Sequence, residues 1–253
     1  MLGTVVALSA ILSAAAAPEL GNAGIVDAID AASLTSQTTR DPFSRPAASA
    51  LSGQAVTFSA PILMDGDADR SGPFHWSYDL DRRRLTIRML PMNYNHGVAF
   101  MEADDFVIDV SAPVSGWEVK HTVTDLGSRE MVNGYGARFD VERREEKVWA
   151  VAEVGQGYRS NLPGRQESFY THELRIDPDA ARSLAENLRF EARGVVRDHK
   201  PGQAVVCGSM YSGATIRNPR QMTGETCVLT VEWTSFAFID GRDGAVVKAW
   251  ADR

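Results

Sequence analysis

Three aspartates at alternate positions, Asp65, Asp67 and Asp69, are the residues of this chain best suited by type and spacing to hold a metal ion. In Asp65-Gly66-Asp67-Ala68-Asp69-Arg70-Ser71-Gly72 they can turn three hard carboxylate oxygens toward one cation, the coordination Ca²⁺ prefers. A second acidic group, Glu102, Asp104 and Asp105, holds carboxylates close enough for acid–base work if their environments separate the pKa values. Five histidines, His75, His96, His121, His172 and His199, are spread along the chain, and none falls in the H-E-x-x-H pattern of zinc proteases. Three of them, His75, His121 and His172, lie on predicted strands, where a half-buried structural histidine is the ordinary case. Serine chemistry of the nucleophile-elbow type lacks its G-x-S-x-G, because the serines of Gly208-Ser209-Met210-Tyr211-Ser212-Gly213 stand at the wrong spacing. Gly134-Tyr135-Gly136 is too short for a phosphate-binding loop, and no G-x-x-x-x-G-K run exists.

The Asp65–Gly72 segment resembles the opening of an EF-hand-type loop and departs from it twice. Arg70 stands where glycine makes the sharp turn, and Trp76 stands where a bidentate glutamate closes the shell. A solvated acidic loop is therefore the competing reading, and Ca²⁺ is the one cofactor the sequence suggests.

Only two cysteines occur, Cys207 and Cys227. In an exported chain such a pair is expected to form a disulfide. A reactive thiol would need an activating neighbour, and a zinc site would need two more ligands; no histidine lies between the two cysteines. The bridge would tie the base of the segment from Ser209 to Glu225. Its Tyr211, Arg217, Asn218, Pro219 and Arg220 offer stacking and hydrogen-bonding groups, so it is the expected recognition loop. Phe74, Trp76 and Tyr78 share one strand face by period two. With Tyr94, Trp117, Phe169, Trp233 and Phe236 they read as core, or alternatively as the wall of an apolar or glycan pocket in which Trp76 and Tyr78 would contact ligand.

The elements that must position these residues are mostly strands. Ala55–Ser59, Phe74–Leu80, Leu85–Leu90, Phe106–Val110, Trp117–Val123, Ala137–Val141, Val148–Val154 and Ser168–Ile176 are β-prone, as are Arg189–Val196, Ala204–Cys207, Cys227–Phe238 and Ala245–Trp250. Polar turns at 81–84 and 240–244 imply hairpins, and the charged run Glu142–Lys147 reads as another hairpin tip. One helix is expected near 178–188, with Asp177 as N-cap, Pro178 at the first position and Ala180, Ala181, Leu184, Ala185 and Leu188 at helical spacing. The fold class is mainly β, an antiparallel sandwich or barrel-like domain, with α+β as the alternative.

Organisation follows composition. Leu2 to Ala17 carries no charge and ends in four alanines, which reads as a signal peptide (1–17) cleaved after Ala16. Residues 18–52 are rich in Ala, Ser and Thr and read as a flexible arm, in which Ile25, Val26, Ile29 and Leu34 can make one short helix. Residues 53–253 form the β-rich domain, with a division suggested near 155–167 by Gly, Pro and polar residues. A net charge of −7 disfavours nucleic acid and anionic membrane as partners. No stretch is long and apolar enough for stable membrane insertion. The resulting expectation is a periplasmic or secreted binding or accessory protein of the envelope. Its partner would be an envelope protein, a glycan or an apolar small molecule. A metal- or carboxylate-dependent hydrolase is the alternative.

Overall fold

A computed structural model describes residues 19–36, 49–64, 74–89, 116–153, 170–199 and 201–251. The expected signal peptide, the Asp65/Asp67/Asp69 loop, the Glu102–Asp105 cluster, His96, the strand expected at Phe106–Val110 and the suggested division at 155–167 lie outside the described residues.

The chain is mainly β, as expected. In order run α1 (Asn22–Ser36), β1 (Ala55–Pro61), β2 (Leu63–Met64), β3 (Phe74–Asp79), β4 (Arg84–Met89), β5 (Gly116–Val132), β6 (Arg138–Glu153), β7 (Tyr170–Arg175), α2 (Pro178–Ala185), β8 (Leu188–Val196), β9 (Val205–Ser212), β10 (Arg220–Asp240) and β11 (Val246–Ala251). They form a seven-stranded and a four-stranded sheet in a sandwich-like arrangement. The smaller sheet has the order β2-β3-β4-β7. Its Phe74 stacks on Phe190 of the larger sheet, with ring centroids 4.5 Å apart.

Strand β10 is the spine of the larger sheet. Its first half, to Val231, pairs with β6 in parallel and with β9 antiparallel; its second half pairs with β8 and β11. Core residues occupy Cys227, Leu229, Val231 and Trp233, then switch parity to Phe236 and Phe238. The register shift between Trp233 and Ser235 explains the switch, because one extra residue reverses which side chains face inward. Opposite this bulge sits Gly194. A Cβ built there would lie 2.4 Å from the Glu232 carbonyl oxygen. Gly194→Ala is therefore expected to cost about 1–3 kcal/mol through forced backbone movement, read from the midpoint of urea unfolding.

Three expectations need correction. The stretch 19–36 is anchored, not free. Leu20 bridges to Val56, and Ile25 and Ile29 of α1 are fully buried in the core. Asp30 then pins the helix to β6, accepting hydrogen bonds from Lys147 Nζ and the Trp149 indole N–H, each at 2.9 Å. Burial works to raise the Asp30 pKa, but these two bonds and the charges of Lys147 and Lys120 outweigh it and hold the carboxyl below its ordinary range.

Second, Glu142–Lys147 is not a hairpin tip. It runs through the middle of β6 with a partner strand on each side. Two of its charges meet partners on other elements: Arg220 Nε of β10 donates to Glu142 at 3.2 Å, and Lys147 meets Asp30 of α1. The actual turn is at 133–137. Asn133 Oδ1 accepts from the backbone N–H groups of Tyr135 and Ala137, and Gly136 takes φ +80°.

Third, the helix expected to reach 188 ends at Ala185, and Leu188 opens β8; at its start Asp177 is the N-cap, as expected, without a capping bond from its side chain. Its carboxylate accepts from Arg83 Nη1 at 3.0 Å instead.

Candidate functional site

The larger sheet does not end where its core ends. Beyond Lys120 and Lys147, whose ammoniums stand 4.8 and 4.7 Å from the Trp149 ring, β5 and β6 continue outward as a hairpin to the turn at 133–137. Beside them run the start of β10, to Glu225, and the end of β9, from Ser209, while Val205 and Cys207 of β9 still pack against the core. The result is a four-stranded arm in the order β5-β6-β10-β9. Nearly every β5 residue from His121 to Val132 is exposed.

Large apolar side chains gather on this arm. Of nine that are exposed among the described residues, six belong to it: Val123, Leu126, Val132, Tyr135, Tyr211 and Ile216. Tyr135 at the β5–β6 turn is 98% exposed, and Tyr211 on β9 is 67% exposed.

The expected recognition loop from Ser209 to Glu225 is largely strand. Residues 209–212 pair with 222–225, leaving a turn at 213–219. The tip is closed by reciprocal backbone hydrogen bonds between Thr215 and Asn218, at 2.8 and 3.1 Å. Arg217 and Asn218 stand exposed in that turn, and Arg220 opens β10 against Glu142. Thus Tyr211, Arg217, Asn218 and Arg220 share one hairpin, as their sequence neighbourhood requires. Trp76 and Tyr78 do not join them. They belong to the smaller sheet, are half-buried against the core, and Tyr78 Oη donates to the Ile176 carbonyl at 2.9 Å.

The Cys207–Cys227 disulfide is formed, and no free cysteine remains. The two cysteines are directly opposed on β9 and β10, with Cα atoms 4.1 Å apart. The bridge therefore staples β9 to the spine of the sheet. Glu225 lies close to both sulfurs, but the sulfurs are bonded to each other and offer no thiolate to an ion.

The described histidines are dispersed. His121 on β5 lies 3.7 Å from both Glu118 and Glu146. His75 and His172 sit on β3 and β7, separated by β4. The His172 ring packs toward Phe238, and its Nε2 is buried without a hydrogen-bond partner. Burial, with help from the Lys248 charge, pushes its pKa down. The unfolded chain takes up a proton near the ordinary histidine pKa of about 6.5, before the folded chain does. Stability should therefore fall as pH drops from there through the depressed native value. Replacement by glutamine should flatten that part of a Tm-against-pH curve.

An open cleft of about 910 Å³ is lined by Arg82, Arg83, Arg84 and Arg175 with Asp81 and Glu173. Its positive charge is largely matched. Arg83 pairs with Asp177 and Arg84 with Glu173, each at 3.0 Å, and Arg82 lies 3.7 Å from Asp79.

Sequence reasoning reached the hairpin residues but missed the reach of the arm. A strand solvated on both faces shows no apolar–polar alternation to detect. The signal that was available is Asn133-Gly134-Tyr135-Gly136, a turn sequence placed between two β-prone runs.

No protein-family description matches this chain, and no curated protein or solved structure matches it.

Proposed function

We propose that this chain is an exported β-rich binding module of the cell envelope that recognises its partner with the free end of the arm. The observation that carries this reading is the gathering, among the described residues, of six of the nine exposed large apolar side chains on an extension that adds little to the core. Single exposed apolar residues are ordinary on any protein, but their concentration in one region marks a contact surface. The residue types agree. Tyrosine and arginine are enriched where proteins meet, and Tyr135, Tyr211, Arg217 and Arg220 supply both. An open, projecting surface suits another envelope protein better than an apolar small molecule, which needs an enclosed pocket. Two further features support export: the uncharged leader with its alanine run, and a disulfide, which persists outside the reducing cytosol. Among the described residues no helix is long and apolar enough to cross a membrane.

Photo-crosslinking in intact cells tests the surface. A crosslinking residue placed at Tyr135 or Ile216 should trap a discrete adduct. One placed at Asp179 on α2, whose side chain is fully open to solvent, should not. Adducts from Asp179 alone, or from all three positions equally, would remove the assignment. Export is tested separately by the amino terminus of the mature chain, expected at Ala17. A chain that keeps Leu2–Ala16 inside the cell would overturn that half.

A further inference from the structure

Every sheet has edges, and an edge strand with unpaired backbone groups can pair with another chain unless something prevents it. In this protein nearly every edge carries such a device. Strand β5 has two register shifts, after Glu118 and after Asp125, and its residues include Lys120, Asp125, Arg129 and Glu130. Strand β1 ends in Pro61 and is bridged by Leu20. Strand β7 carries Glu173 and Arg175, β11 carries Lys248, and β2 has only two residues.

Strand β9 is the exception. Its sequence, Val-Val-Cys-Gly-Ser-Met-Tyr-Ser, holds no charge and no proline. It pairs with β10 without a register shift, and among the described residues no other strand pairs with it. The disulfide at Cys207 prevents this edge from peeling away from β10. It is a rigid, neutral, eight-residue template.

We propose that β9 pairs antiparallel with β9 of a second copy of this chain, about a twofold axis at Gly208. A twofold interface places each residue opposite its own mirror position, so the strand must complement itself. With Gly208 opposite Gly208, Val206 falls opposite Met210 and Val205 opposite Tyr211, each pair occurring twice. These are apolar and aromatic–β-branched pairs, the favourable kind across antiparallel strands. No like charges meet in this register, because the strand has none. The arms of the two copies become one continuous sheet across the axis. A strand pair of this length is a small interface, so association in the micromolar range is expected. The proposal does not depend on recognition by the arm tip, since a chain with no other partner can still dimerise this way.

Sedimentation equilibrium of the oxidised full-length mature protein, across a concentration series reaching the high micromolar range, is the test. The wild type should reach twice the chain mass. Tyr211→Lys and Val206→Lys should each weaken the dimer on the order of tenfold or more, by placing a charge opposite an apolar residue at two symmetric positions. Val123→Lys, on the blunted β5 edge, should leave it intact. Tyr211 is already exposed, so its variant is expected to fold. Amide exchange on the wild type gives an independent reading: protection within 205–212 should rise with concentration. A single-chain mass at every concentration would overturn the proposal. So would a dimer that survives both β9 substitutions, one lost on Val123→Lys alone, or β9 protection that ignores concentration.

Discussion

Trp117→Ala is expected to destabilise the fold by about 3–5 kcal/mol, the range for removing a large aromatic side chain from a packed core. Trp117 is 1% exposed and lies at the start of β5, where the two sheets and the arm meet. Its ring stands 4.9 Å from Phe190, 5.4 Å from Phe58 and 5.4 Å from Trp233. One alanine would break these and the contacts with Phe74 and Phe236, both at 6.1 Å, and leave a cavity that strands from different parts of the chain cannot easily close. Trp117→Phe should cost far less. The indole Nε1 is buried without a hydrogen-bond partner, so phenylalanine keeps most of the packing and removes an unsatisfied donor. The pair of variants separates packing from polarity. If chemical denaturation found both equally harmful, the indole nitrogen would have to be doing something other than sitting orphaned.

The second large effect is expected from the disulfide. Removing it with Cys207→Ala and Cys227→Ala together should lower stability by roughly 3 kcal/mol, the chain-entropy value for a closed loop of this length. The bridge spans 20 residues of sequence, so the unfolded chain gains considerable freedom when it is cut. Native amide exchange should show the loss unevenly. Strand β9 is held only by β10 among the described strands, so its amides should lose more protection than those of β8, which lies between β1 and β10. Uniform loss would mean that the staple acts on the whole domain and not on its edge. The same double variant should also weaken the β9 pairing proposed above, because a fraying edge is a poor template.

Much of the scaffold was legible because burial leaves a periodic trace. Phe74, Trp76 and Tyr78 alternate on β3, and the helix at 178–185 shows its apolar spacing and its proline. Ile25 and Ile29 lie one helical turn apart, and α1 buries both. What that spacing does not reveal is where the helix docks. The partners of Asp30 are Lys147 and Trp149, far along the chain. The charge run Glu142–Lys147 misled for a related reason. Charged residues look like a turn when read alone, and their neutralising partners Arg220 and Asp30 lie on other elements.

The cysteine pair shows both sides of this. Two cysteines in a chain with an uncharged run at residues 2–17 were enough to anticipate a bond between them. That the bond joins opposed residues of two paired strands, and so stiffens an edge instead of closing a loose loop, required the register of β9 on β10.

Local composition alone therefore determined the β character, the second helix, the 240–244 turn and the covalent link, because each depends on residues near one another or on a count too small to permit alternatives. The tertiary arrangement decided the rest: the arm, the gathering of exposed apolar groups on it, and the contrast between a guarded edge at β5 and one at β9 that no other described strand pairs with. Strand order and register bring together residues a hundred positions apart, and no window of sequence contains both partners.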